Sequence, residues 1–147
     1  MKTFVLILSE KFPSSHPRSG EETGFLVSLK DQLKKHTIRG NYELWKNRID
    51  QVNNGEAVLS IRKWGGKPYR SKQVEILQLT HLAEIDVARL NAYGEGFEVE
   101  HSDGIWKIVP DNVIAKNDGL KYQDFKDWFD GYKMKDMALI YLSAFRY

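Results

Sequence analysis

An amine and a hydroxyl three residues apart, on Lys34 and Thr37, are the side chains in this sequence whose types and spacing best suit chemistry. If the segment is helical, three residues make about one turn, and the two side chains can meet. A threonine hydroxyl is a weak nucleophile that needs a neighbouring base. A lysine can be that base when desolvation or positive neighbours, here Lys35 and Arg39, lower its pKa. The same residues also fit a structural reading, with lysines in the last turn of a helix and Thr37 in a strand.

Arginines and aromatic residues alternate further along the chain in a pattern typical of nucleic-acid binding. Arg39, Arg62 and Arg70 can bind phosphates, and single-stranded RNA is often read by stacking its bases on aromatic rings. Trp64 and Tyr69 flank a turn, where exposed rings are as plausible as core packing. Other aromatic residues are better explained as core: Trp45, Trp106, Trp128 and Phe129.

The basic residues are concentrated between residues 30 and 70, where ten Lys or Arg accompany four Asp or Glu. The whole chain carries a net charge of only +2. Phosphate binding depends on a local positive field, so this concentration favours an anionic partner. A solvated basic face is the alternative interpretation.

Length and composition indicate one globular domain spanning residues 1–147, with 41% hydrophobic and 29% charged residues. There is no cysteine, which excludes disulfides and thiolate chemistry and favours a reducing compartment. No apolar run approaches the length of a membrane span, and the N-terminal segment lacks the features of a signal peptide. The four histidines lack metal-ligand spacing. We therefore predict a cytoplasmic protein without cofactor, metal or membrane partner, and make no prediction of its oligomeric state.

Helices are predicted where apolar residues recur at helical spacing. One covers residues 24–35 after a Thr23 cap, with Leu33 on its inner face. A second follows an Asn41 cap, with Leu44 and Trp45 facing inward, and ends at Gly55. A short helical turn at 110–116 and a helix at 121–132 follow.

Strands are predicted in seven further segments, several of them joined by hairpin signals. Between the first strand and the first helix, residues 11–22 form a long loop, and we interpret its His16-Pro17-Arg18 segment as exposed surface rather than a flap over a cleft. Short strands with flanking helices favour an α+β fold built on a small barrel or strongly bent sheet. The predicted strands cover residues 3–8, 56–64, 69–79, 85–90, 97–100, 105–109 and 137–145.

Three stretches in succession resemble the ASCH family of the PUA-like superfold. They are a Lys-x-x-Thr-x-Arg segment at residues 34–39, a glycine-led strand at 55–64, and an Asp-Gly-Leu step at 118–120 before a Phe-containing helix. The resemblance implies a PUA-like β-barrel of mixed, mostly antiparallel strands, with a cleft beside the Lys-x-x-Thr segment and a role connected with RNA. It also brings Asp118 into the candidate site.

One branch of that family, the small acetylcytidine amidohydrolases, resembles this chain at Lys34, Thr37 and Asp118, although the third position is a glutamate there. The resemblance implies that the carboxylate acts as a general acid or orients the lysine. This chain also has the 11–22 loop and a wide insertion between residues 79 and 105.

Three functions remain open from the sequence. The first is an RNA-binding or nucleotide-binding ASCH domain with a basic cleft. The second is a hydrolase, such as an amidohydrolase, acting on a modified nucleoside or RNA through Lys34, Thr37 and Asp118. The third is a protein-interaction module without catalysis. The residues predicted to contact the ligand are Lys35, Arg39, Arg62, Trp64, Tyr69 and Arg70.

Overall fold

A computed structural model describes all 147 residues as eight strands, four α-helices and one 3-10 helix. The strands are β1 (Lys2–Ile7), β2 (His36–Arg39), β3 (Ala57–Trp64), β4 (Gln73–Leu79), β5 (Asp86–Tyr93), β6 (Gly96–Glu100), β7 (Trp106–Pro110) and β8 (Met137–Tyr141). The helices are α1 (Phe25–Lys30), α2 (Tyr42–Asn53), α3 (Asp111–Asn117) and α4 (Tyr122–Trp128), with the 3-10 turn at His81–Ala83. No helix has both the length and the apolar character needed to cross a bilayer.

The strands form two sheets, with the orders β1-β3-β4 and β2-β8-β5-β6-β7. Only β1 and β3 pair in parallel, and every other ladder is antiparallel. The α+β class and the mixed, mostly antiparallel strand content are therefore confirmed. The strands are divided between two sheets, and no ladder runs from one edge back to the other.

Two hydrophobic cores lie on opposite faces of the five-stranded sheet. The first core packs α2 and the three-stranded sheet against residues such as Ile140 of β8. The second places Leu139 and Tyr141 of the same strand with residues of α3 and α4. Because neighbouring strand residues point to opposite faces, the interior strand β8 is buried on both sides. This division determines which candidate side chains can meet.

Local signals place most elements correctly, and α2 is the clearest case. Its N-cap Asn41 accepts a hydrogen bond from the Leu44 amide at 3.2 Å, as predicted. Trp45, Ile49 and Val52 are buried on its inner face. The prediction for Leu44 is wrong, since it is exposed and Tyr42 is buried instead.

The first helix is shorter than predicted and ends at Lys30. Gln32 adopts a left-handed backbone, and the amides of Leu33 and Lys34 both bond to the Ser28 carbonyl, so the chain turns away. Leu33 is consequently exposed rather than part of the core. Gly24, not Thr23, is the N-cap residue, and the Thr23 hydroxyl donates to the Ser9 carbonyl at 2.7 Å.

Two further predictions about side-chain exposure are wrong. Trp106 is not a core residue, since it lies on the edge strand β7 and is 59% exposed. His16 is buried, because its imidazole stacks on Phe12 with centroids 4.3 Å apart and contacts α4. The 11–22 loop is thus packed against the domain at this point.

Candidate functional site

Lys34 and Asp118, 84 residues apart in sequence, meet inside the folded chain. The early end of α1 leaves residues 31–35 irregular, and the Lys35 amide bonds to the Asn117 carbonyl at 2.7 Å. Asp118 is the C-cap residue of α3, and Gly119 follows it with φ +85°. Glycine adopts this left-handed conformation readily and so ends the helix here. The end of α3 is thereby fixed against the Lys34 segment.

The Lys34 ammonium is held entirely by Asp118 and an aromatic ring. Its Nζ donates to the Asp118 carbonyl at 2.7 Å and approaches Oδ1 at 3.5 Å. The same atom lies 4.2 Å from the centroid of the Phe25 ring. The two side chains are only 1% and 5% exposed, so this is a buried ion pair.

His36 extends this cluster toward the C-terminal residue. Its Nδ1 lies 3.1 Å from Asp118 Oδ1, and its Nε2 lies 2.6 Å from the Tyr147 hydroxyl. A carboxylate only accepts, so Nδ1 carries the proton of the neutral ring and Nε2 accepts from Tyr147. The phenolic oxygen in turn accepts from Asn117 Nδ2 at 3.2 Å. The chain of hydrogen bonds therefore has a consistent direction from Asn117 to Asp118.

Burial shifts the protonation equilibria of these groups. Desolvation lowers the pKa of Lys34 to about 8, although the Asp118 charge opposes this and the Arg39 charge reinforces it. Desolvation likewise lowers the pKa of His36, against the opposing effect of Asp118. Near neutral pH, His36 is uncharged and a small fraction of Lys34 is a free amine.

Thr37 does not join this cluster, because residues 36–39 are a strand rather than a helical turn. His36 and Ile38 face the second core, whereas Thr37 faces the opposite side. The Thr37 hydroxyl accepts from Arg39 Nη1 at 2.7 Å. The helical geometry that would have brought Thr37 to Lys34 is not formed, and the structure gives no hydrogen bond between them.

Arg39 connects β2 to the three-stranded sheet. It is half-buried, and its Nη2 donates to the Ile7 carbonyl at 2.5 Å. Ile7 pairs with Arg62 in the β1–β3 ladder. Desolvation lowers the pKa of Arg39, and the Asp118 charge opposes this effect. Arg39 thus bonds to β1 and makes no hydrogen bond to Lys34, His36 or Asp118.

The remaining predicted ligand contacts lie on the β3–β4 hairpin, apart from Lys35. Arg62 is half-buried and donates to Ser60 Oγ at 2.8 Å and Gln73 Oε1 at 3.1 Å. Trp64 is half-buried beside Tyr69, with ring centroids 5.3 Å apart. Tyr69 is 88% exposed and Arg70 is also exposed. The half-buried Lys35 instead lies near the C-terminal segment, with its Nζ 5.9 Å from the Phe145 ring.

Neither of two surface cavities is lined by Lys34, Thr37 or Asp118. One, of about 260 Å³, lies between Tyr42, Arg89 and His101. The other, of about 440 Å³, lies between Phe97, Tyr122 and Met134. No group of three His, Asp or Glu side chains is arranged to hold a metal ion. The Lys34–Asp118 pair, with side chains 1% and 5% exposed, is covered in this conformation.

From the sequence, His36 is expected only to line the cleft if its segment is extended, and nothing singles out Asn117 or Tyr147. The alternation of a strand places His36 on the same face as Ile38, which is the signal that could have identified it. Tyr147 lies 111 residues from His36, and no local pattern relates them.

No family model, curated protein or solved structure matches this chain. The fold and the site define an α+β domain with a buried Lys-Asp-His cluster and a hairpin that carries basic and aromatic side chains. The relation to ASCH domains stays a prediction from the motifs.

Proposed function

We propose that this domain binds RNA or a nucleotide, and that the β3–β4 hairpin is its main contact surface. The supporting observation is the composition and exposure of this hairpin. Residues 57–74 include five basic side chains and no acidic one. They surround the Trp64–Tyr69 pair, in which Tyr69 is almost fully exposed. The basic residues are Arg62, Lys63, Lys67, Arg70 and Lys72.

This arrangement matches what single-stranded nucleic acid requires. Phosphates are attracted by a local excess of cations, and bases stack on accessible aromatic rings. Only Lys63 of the five is in an ion pair, with Glu10 at 3.3 Å. The half-buried Arg39 lies near this sheet, since it donates to the Ile7 carbonyl of β1. A cytoplasmic location and an RNA or nucleotide partner form part of this proposal.

The test is binding of a fluorescently labelled single-stranded RNA to purified variants, measured by polarisation at fixed salt. We expect Tyr69→Ala to weaken binding about 5- to 150-fold, because one stacked base is worth about 1–3 kcal/mol. Arg70→Gln should also weaken it through the loss of one phosphate contact. Tyr93→Ala and Lys107→Gln are matched controls, since both residues are exposed on the other sheet. Equal losses in the controls, or no binding by the unmodified chain, would reject the hairpin.

The hydrolase alternative is favoured by one observation, the lowered pKa of Lys34. A lysine base needs such a shift to hold a free amine near neutral pH. Thr37 would have to leave its bond to Arg39 to reach that amine. The test is release of free cytidine from an acylated cytidine by the unmodified chain, by Lys34→Met and by Thr37→Val. No release by the unmodified chain, or full activity in either folded variant, ends this alternative.

A further inference from the structure

The strand β7 is an open edge of the five-stranded sheet. It pairs only with β6, and no other strand lies along its second side. All four residues from Ile105 to Ile108 are exposed, with Trp106 at 59% and Ile108 at 46%. Folded proteins commonly protect such an edge, because its free N–H and C=O groups can pair with another chain. An open edge that carries large apolar side chains is therefore a candidate for the addition of a strand.

The hydrogen-bonding pattern of the β6–β7 ladder shows which backbone groups of this edge are free. The His101 amide donates to the Ile105 carbonyl at 2.8 Å, so these two residues form a hydrogen-bonded pair. Hydrogen-bonded and non-hydrogen-bonded pairs alternate along an antiparallel ladder, so Lys107 also bonds to β6. The N–H and C=O groups of Trp106 and Ile108 therefore point away from β6, and no loop backbone bonds to them.

The side chains of this edge define the chemistry of the strand that it can accept. Trp106 and Ile108 point to one face of the sheet, and Lys107 points to the other. Lys107 is exposed and belongs to no ion pair. An added antiparallel strand would place one residue opposite each of these three. Opposite charges at such positions attract, so the best partner has an acidic residue between two apolar ones.

A second copy of this chain fits the edge poorly in each antiparallel register. Pairing Trp106 with Ile108 of the copy would set the two Lys107 side chains directly opposite each other, and like charges there are destabilising. A register centred on Ile108 would place Trp106 opposite Pro110, which has no N–H to share. A register centred on Trp106 would place Ile108 opposite Gly104, whose amide is already bonded within the turn. The edge therefore favours a strand of different sequence.

We propose that the free edge of β7 binds an extended peptide segment of another protein, in which an acidic residue stands between two apolar ones. The peptide adds to the sheet as an antiparallel strand and exchanges backbone hydrogen bonds with Trp106 and Ile108. Its carboxylate lies opposite Lys107. Because this surface belongs to a different sheet from the β3–β4 hairpin, the inference goes beyond the proposed RNA binding and does not depend on it.

The test uses a fluorescently labelled peptide, Ser-Thr-Val-Glu-Val-Thr-Ser, whose binding to the full chain is measured by polarisation. One control peptide has Lys in place of Glu, and the other is N-methylated on both valines. We expect the Lys peptide to bind at least about threefold more weakly, because its charge repels Lys107. The N-methylated peptide should bind at least about tenfold more weakly, because it lacks the N–H groups that bond to Trp106 and Ile108.

Reversing the charge in the protein tests the predicted pair directly. We expect Lys107→Glu to weaken binding of the Glu peptide at least about threefold and to strengthen binding of the Lys peptide by a similar factor. Lys30→Glu is the matched control, because Lys30 is exposed at the end of α1, far from β7 in the element order. Ile108→Pro should abolish binding, since it removes an outward N–H without removing a bond to β6.

Three results would overturn the inference. The first is that the Glu peptide does not bind, or binds no better than its N-methylated form. The second is that Lys107→Glu keeps the peptide preference of the unmodified chain. The third is a dimer of the unmodified chain in sedimentation that Ile108→Pro dissociates, which would assign the edge to a second copy. If Ile108→Pro does not fold, the charge reversal and the N-methylated peptide decide the question, whatever the hairpin does with RNA.

Discussion

At the scale of single residues, the defining feature is a set of buried ionisable groups whose hydrogen bonds are complete. Lys34, His36 and Asp118 are each almost fully buried, and no buried side-chain nitrogen or oxygen in the chain lacks a partner. Removing Lys34 or Asp118 leaves the opposite charge buried and uncompensated, which costs more than breaking an exposed pair. The cluster is therefore sensitive both to substitution and to pH.

The lowered pKa of Lys34 makes stability depend on pH in a defined direction. Between pH 8 and 9.5 the unfolded chain keeps the lysine proton, with an ordinary pKa of 10.5, while the folded chain releases it. The folded state is then favoured as pH rises, by at most about 2 kcal/mol over this interval. We expect denaturant unfolding to show this rise in the unmodified chain and in the control Lys35→Met, but not in Lys34→Met. An equal rise in Lys34→Met would show that another group is responsible.

Gly119 is constrained by both its backbone and its neighbour. It has φ +85°, and a Cβ placed on it would lie 3.2 Å from the Lys34 Cβ. Gly104 has φ +86° with open space around it, which makes it a matched control. We expect Gly104→Ala to cost about 1 kcal/mol from backbone strain, and Gly119→Ala to cost more because Lys34 must also move. Equal losses in the free energy of unfolding would mean that this contact adjusts freely.

At the scale of elements, the 11–22 loop is an ordered segment fixed to α4. His16 Nδ1 accepts from the Arg18 amide at 3.0 Å, so Nε2 carries the proton and donates to the Asp124 carbonyl at 3.0 Å. Arg18 also forms an ion pair with the Asp124 carboxylate. The imidazole lies between Phe12 and Trp128. The buried imidazole thus bonds to the loop through Nδ1 and to α4 through Nε2.

Loss of His16 should release this loop while leaving the sheets folded. We expect His16→Ala to raise the rate of tryptic cleavage at Lys11 and Arg18 about tenfold or more, since proteolysis follows the population of the open segment. His81→Ala is the control, because His81 is exposed in the 3-10 turn. Mass spectrometry of the fragments locates the cuts, and unchanged cleavage would mean that the other contacts suffice to hold the loop.

The sequence predicts elements whose signals are local and fails where distant residues decide. The strand predicted over residues 56–64 forms as β3, with Ala57, Leu59 and Ile61 in the core, and the Asn41 cap forms as expected. The end of α1 was misjudged because Leu33 continues the apolar spacing, while the bonds to Ser28 and the contact with Asn117 turn the chain. Within the site, the resemblance linked Asp118 to Lys34, and this contact is present. The partnership of His36 with Tyr147 depends on how the sheets are assembled.

At the scale of the whole molecule, the charge is unevenly distributed although its sum is small. The net charge is +2, yet residues 57–74, which cover β3 and the turn into β4, carry five basic residues without an acidic one. A ligand that is attracted through its phosphates must therefore bind to this segment with an affinity that depends markedly on salt. The salt dependence of binding also distinguishes a nucleic-acid-binding domain from a protein-interaction module without catalysis.

We expect the logarithm of the RNA association constant to fall linearly with the logarithm of the salt concentration. If three to five of these cations contact phosphates, the slope should be about −2 to −3.5 for single-stranded RNA. Arg70→Gln should reduce the slope by about 0.7, whereas Lys107→Gln should not change it. A slope near zero would favour the protein-interaction module instead.

The position of β8 has a consequence for how the protein is made. This strand comes last in sequence order but lies between β2 and β5, so it joins the two parts of the five-stranded sheet. The chain is synthesised from its N-terminus, so β2 has no partner in that sheet until residues 137–141 have left the ribosome. Until then β5, whose Val87 and Leu90 face opposite cores, has no neighbouring strand on one edge. The nascent chain must therefore remain incompletely folded until synthesis has passed Tyr141, when a single insertion completes the sheet.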